Sequence, residues 1–96
     1  MIKATEAQAN VLNYEFAIRV EVRDKVNELI NVMSKSIEFH SKNGLTGAQF
    51  CPYDKSRFPT IKALEYAQEL FQTIFEDAGY TVVENRYDKN SLKIKW

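Results

Sequence analysis

Cysteine, histidine, proline and glycine are all scarce in these 96 residues, and there is no excess of either charge. The chain has one cysteine, one histidine, two prolines and three glycines, with thirteen basic side chains balancing thirteen acidic ones. A single cysteine excludes an internal disulfide and fits a reducing compartment. One histidine and one cysteine do not make a metal-binding constellation, so no metal and no cofactor are expected. The balanced charge creates no overall field to attract nucleic acid or an anionic membrane, and nucleic acid is an unfavoured partner. Residues 1–10 lack the apolar centre of a signal peptide, and no apolar run reaches the ~20 residues of a membrane span. These absences point to one domain, residues 1–96, in the cytoplasm. A chain this short can draw part of its apolar burial from a subunit interface.

The few glycines and prolines mark joints at Gly44, Gly47, Pro52, Pro59 and Gly79. Before the first joint, Thr5 and Gln8 have the spacing of a capping box that would open a helix. From Val22 onward, Val26, Leu29, Ile30, Met33 and Ile37 recur every three or four residues, the mark of one apolar helical face, until Asn43-Gly44 stops it. The stretch between these two signals has two readings. Tyr14, Phe16, Ile18, Val20 and Val22 alternate with Glu15, Ala17, Arg19, Glu21 and Arg23, as in a half-buried strand. Ala7, Val11, Tyr14, Ile18 and Val22 also fit a helical spacing, and no turn residue separates the stretch from its flanks. The preferred reading is one helix over residues 5–42, roughly 55 Å long at 1.5 Å per residue. Such a helix outruns a domain of this size. Its N-terminal half must bury itself outside the monomer's own core, and a second subunit is the simplest occupant. Val11, Tyr14, Ile18 and Val22 are the interface candidates.

After Gly44, residues 45–50 read as a short strand. Pro59-Thr60 opens a second helix with an apolar face of Ile61, Leu64, Ala67, Leu70, Phe71, Ile74, Phe75 and Ala78. Gly79 closes it, with Tyr80 placed for the apolar contact of a Schellman motif. Tyr80 and Val82, then Leu92, Ile94 and Trp96, alternate with their neighbours around a turn at Asp88-Lys89-Asn90, which predicts a C-terminal hairpin. The fold class is therefore α+β in the order α-β-α-β-β, with helices on one face of a small, mainly antiparallel sheet.

The opening "ATEAQAN" of the long helix, the short central strand, and the closing "EDAGYTVVENRYDKNSLKIKW" with its Ile-x-Trp end resemble a group of short bacteriophage proteins of unassigned function. The resemblance covers most of the chain in layout and implies the same helix, strand, helix and hairpin. It also implies a viral accessory or host-interaction protein, an anti-defence role among the options, acting in the host cytoplasm. It carries over no catalytic residue, and "CPYDKSRFP" departs from the pattern.

That departing segment is the part of the chain most like reaction chemistry. Cys51 and Arg57, separated by five residues and followed by a helix start, have the outline of the loop in which a Cys-dependent phosphatase holds phosphate. Several details oppose it. Pro52 removes one N–H from the cradle, no glycine lets the backbone curl around an anion, and Asp54 would place a negative charge inside it. A cysteine buried behind a proline-bounded loop is the plainer expectation. Tyr53, Lys55, Ser56 and Arg57 could instead bind an anionic ligand such as a nucleotide phosphate, or Ser56 or Asp54 could simply cap the following helix.

Other polar groups have structural readings. His40 sits near a helix C-terminus, where its protonated form would suit the dipole. Glu76 and Asp77 end the second helix as solvated carboxylates rather than paired acids. Arg86, Tyr87, Lys89, Lys93, Lys95 and Trp96 form a basic and aromatic cluster able to stack a base, yet Trp96 shares parity with Leu92 and Ile94 and reads as core.

Three functions fit these residues. The preferred one is a non-catalytic homo-oligomeric protein that binds and modulates a host protein. The alternative is a sponge that sequesters an anionic small molecule, such as a nucleotide signal. The third is a Cys-dependent phosphatase.

Overall fold

The computed structural model describes residues 1–83 and 91–96. Its elements are α1 (Ala4–Lys42), β1 (Gly47–Phe50), α2 (Ile61–Asp77), β2 (Thr81–Val83) and β3 (Leu92–Lys95). The fold is α+β, in the expected order. Residues 14–23 are helical, inside an unbroken α1. The turn expected at Asp88-Lys89-Asn90 lies outside the described residues.

Helix ends follow from backbone bookkeeping. At α1 the N-cap is Lys3, with no side-chain cap; its carbonyl accepts from Glu6 N at 3.0 Å and Ala7 N at 3.1 Å. The capping box expected at Thr5 does not form. Ala4 is a strong helix former, so the helix starts ahead of Thr5 and places it in the first turn. Both C-termini close as Schellman motifs, in which a glycine at positive φ turns the chain and two backbone N–H groups satisfy the last carbonyls. Gly44 at φ 81° and Gly79 at φ 92° fill that position. Leu45 N then donates to His40 O at 3.0 Å, and Tyr80 N to Phe75 O at 2.9 Å. Leu45 is thereby used in the turn, and the first strand begins at Gly47 rather than at residue 45. At the start of α2, Thr60 Oγ1 accepts from Ala63 N at 3.1 Å.

The three strands run β1-β3-β2, with β3 central and antiparallel to both neighbours. Leu92 and Ile94 point into the core while Lys93 and Lys95 stay exposed, which is the period-two rule at work. Val22, Val26, Met33 and Ile37 of α1 meet Ala63, Ala67, Phe71 and Phe75 of α2 there. Ile61 and Ala78, expected on this apolar face, are exposed, and Ala63 is buried instead. Aromatic rings link the layers: Tyr53 to Phe71 at 5.7 Å, Phe75 to Tyr80 at 5.7 Å, and Tyr80 to Trp96 at 6.3 Å between centroids. Trp96 thus joins the core edge.

Two contacts fix how α2 lies on α1. Lys62 Nζ is 3.5 Å from Glu15 Oε1, and one turn later Arg19 Cζ lies 5.5 Å from the Tyr66 ring centroid. The partner numbers rise together, so the two helices run in the same direction, and α2 starts beside the middle of the first half of α1. Residues 4–14 of α1 extend past it, an overhang of about 16 Å at 1.5 Å per residue. The molecule accordingly measures 63 × 25 × 22 Å.

Candidate functional site

Two places hold the residues singled out in the sequence: the loop between β1 and α2, and the overhang of α1. The loop is fastened by its apolar members. Pro52, Tyr53 and Phe58 are buried, Pro52 among the most completely buried side chains of the described residues. Cys51, the residue expected inside, is exposed. Proline has taken the buried position beside it.

The loop's polar atoms are turned on one another. Asp54 Oδ1 accepts from Ser56 Oγ at 2.9 Å and from Arg57 N at 2.8 Å, and Asp54 Oδ2 lies 3.1 Å from Arg57 Nη1. These bonds, the Arg57 backbone N–H first and the Ser56 hydroxyl next, hold the Asp54 carboxyl below the usual carboxylate range. The carboxylate thereby occupies the Ser56 hydroxyl, the Arg57 backbone N–H and one edge of the Arg57 guanidinium, and sets a negative charge where an anionic ligand would sit. Lys25 Nζ donates to Arg57 O at 2.8 Å, tying the loop to α1. Tyr53 packs inward on Phe71. Of Tyr53, Lys55, Ser56 and Arg57, only Lys55 projects outward with none of these ties. The geometry also departs from a phosphatase loop. Helix α2 begins beyond Phe58, Pro59 and Thr60, and the Thr60 side chain caps its N-terminus.

Elsewhere the expected polar roles are structural. His40 Nδ1 lies 2.6 Å from Ser36 O, one helical turn back. Among the described residues, no group of three or more His, Cys, Asp or Glu side chains could hold a metal ion, and no helix is long and apolar enough to cross a membrane. Lys93, Lys95 and Trp96 of the basic cluster are described; Arg86, Tyr87 and Lys89 lie outside the described residues.

The overhang is different in kind. Val11 is 55% exposed, Leu12 66% and Tyr14 57%, and Phe16, just past the overhang, is 70% exposed. Between residues 4 and 14 the one charged side chain is Glu6. At 3.6 residues per turn, Tyr14, Ile18, Val11, Leu12 and Phe16 together span an arc of about 200°. Of the four interface candidates, Val11 and Tyr14 are open, and Ile18 is half-buried against the core. Val22 is buried within the monomer. Its assignment to an interface is corrected, because the chain's own α2 already covers α1 from that turn onward. Leu12 and Phe16 belong to the open face and were not among the candidates. Their four-residue spacing, which puts them on one line of the helix, is their signal in the sequence.

No family model, curated protein or solved structure matches this chain. Its own geometry must carry the functional reading. Near the base of the overhang, Glu15, Ile18, Arg19, Lys62, Glu65, Tyr66 and Glu69 line an open cleft of about 250 Å³. Its walls mix acids with bases, several already engaged with one another, so it offers no single-sign field to a small charged ligand.

Proposed function

We propose that this chain is a non-catalytic binding protein whose working surface is the N-terminal half of α1. One observation carries the reading: two exposed apolar pairs, Val11 with Tyr14 and Leu12 with Phe16, stand in solvent on either side of Gln8, Glu15 and Arg19 at the N-terminal end of α1. Single exposed apolar residues are ordinary, but four large ones within six residues near one helix end mark an interaction surface. Helices also draw most of their stability from packing an apolar face, so an overhang of this composition is stabilised by whatever covers it. The bound partner is a protein, and the likeness to bacteriophage accessory proteins directs part of this binding toward a host-cell target.

Photo-cross-linking in producing cells tests the reading. A benzophenone side chain at Leu12 or Phe16 is expected to give protein adducts. The same probe at Asp24 or Lys35, exposed positions on other faces of α1, is expected to give none. Equal labelling at all four positions, or adducts at none, would sink it. The self-satisfied Asp54 loop favours no second reading based on an anionic ligand.

A further inference from the structure

On the reading that the overhang binds protein, we infer that the stripe of Ala7, Val11, Tyr14 and Ile18 is covered by the same stripe of a second copy, antiparallel, about a two-fold axis near Leu12 and Asn13. Three observations lead there. The first is the sequence of side-chain sizes. The spacings four, three and four place these residues on one seam. Reversing a second copy about residues 12 and 13 sets Ala7 opposite its Ile18 and Val11 opposite its Tyr14. Each layer then pairs a small residue with a larger one, which keeps the two helices evenly spaced. A parallel pair would instead stack Ala7 on Ala7 and Tyr14 on Tyr14, alternating gaps with crowding.

Charge supports the same register. Lys3 and Glu21 lie on the same edge of the stripe, five helical turns apart, and the antiparallel arrangement brings Lys3 of each copy beside Glu21 of the other. On the opposite edge Gln8 meets Glu15, so no like charges are opposed. The open length fits as well. Ile18 is half-buried and Val22 buried against the chain's own core, so the open part of the stripe ends between them. The helix of a second copy, which starts at Ala4, would begin opposite Glu21 and so end beside that same turn. The two globular bodies come to lie at opposite ends and do not collide. Leu12 and Phe16, on the flank, remain free for another protein.

Disulfide trapping in a Cys51→Ser background reads the register. Ala7→Cys and Ile18→Cys chains, mixed and oxidised, are expected to link to each other, while neither links to itself. In the antiparallel pair, two copies of either position are about 16 Å apart along the axis, beyond disulfide reach. Self-linked Ala7→Cys would overturn the antiparallel arrangement. Because Ile18 touches the core, a second measurement uses an exposed position: Val11→Glu, with its helical content unchanged, is expected to sediment at 11.2 kDa while the parent sediments at twice that. A monomeric parent, or a dimeric Val11→Glu variant, would overturn the second copy. If the parent is monomeric yet Leu12 and Phe16 probes still mark other protein, only the second copy fails. If those probes mark nothing, the binding reading fails with it.

Discussion

Burial of the Tyr53 phenol, which packs edge-on against Phe71, pushes its pKa up to about 12, because the low-polarity surroundings disfavour the phenolate. In the unfolded chain the same group titrates near 10. Between these values the folded state holds more protons than the unfolded one, so stability falls as pH rises through this window and levels off above it. Tyr53→Phe keeps the ring and removes the titration. It is expected to change stability at neutral pH by no more than about 1 kcal/mol, and to unfold less steeply than the parent between pH 10 and 12. Parallel alkaline curves for the two proteins in urea titrations would contradict the burial argument. Asp54 acts in the opposite sense. Its folded pKa is depressed, so its contribution is present above the ordinary carboxylate range and is lost as pH falls through the folded value. The group is exposed, and its role is to hold the loop's shape rather than to secure the fold.

Caps distinguish the two helices at the next scale. Thr60 accepts from Ala63 N, whereas Thr5 sits inside the first turn of α1 behind an N-cap with no side-chain bond. Thr60→Ala is therefore expected to cost about 1 kcal/mol in chemical denaturation, and Thr5→Ala to cost little or nothing. Equal losses would show that the first turn of α1 is capped from Thr5 after all. The contrast also shows what the sequence could and could not reveal. Gly44, Gly79 and the apolar periodicity made the helix ends and the α+β order legible, since positive φ and packing faces are local demands. Choosing helix for residues 14–23 needed the longer spacing of Ala7, Val11, Tyr14, Ile18 and Val22, because the strand pattern was equally regular over its ten residues. Which part of that seam stays open was not legible. It depends on where α2 begins beside α1, a tertiary fact set by contacts such as Lys62 with Glu15 and Arg19 with Tyr66. For the same reason Val22 reads as an interface residue in the sequence and is core in the fold, while the exposure of Phe16 follows only from where α2 begins. The loop misled in another way. Its Cys51 and Arg57 suggested chemistry by spacing alone, but the distances show Arg57 committed to Asp54.

At the scale of the whole molecule, the core and the overhang contribute to stability in different ways, and this separation can be measured. The core is intramolecular: Phe71 and Ile94 are fully buried within one chain, and Phe71→Ala is expected to cost about 3–5 kcal/mol at any protein concentration. The overhang projects from one end of a body 63 Å long and 25 Å wide, and an antiparallel second copy would cover it only by mass action. Association that favours the folded state raises apparent stability with the logarithm of concentration once the dissociation constant is exceeded. The parent Tm is therefore expected to climb over a roughly hundredfold concentration range, whereas Tyr14→Glu is expected to melt at one temperature throughout. The charged side chain leaves the monomer core intact, since Tyr14 is 57% exposed, but it places a carboxylate against Val11 of the second copy, where burial without a partner is costly. Phe71→Ala should lower the whole parent curve and keep its slope. If the parent Tm were flat and Tyr14→Glu melted with it, the N-terminal half of α1 would contribute nothing through self-association, and Leu12 and Phe16 would have to find their cover on a different protein.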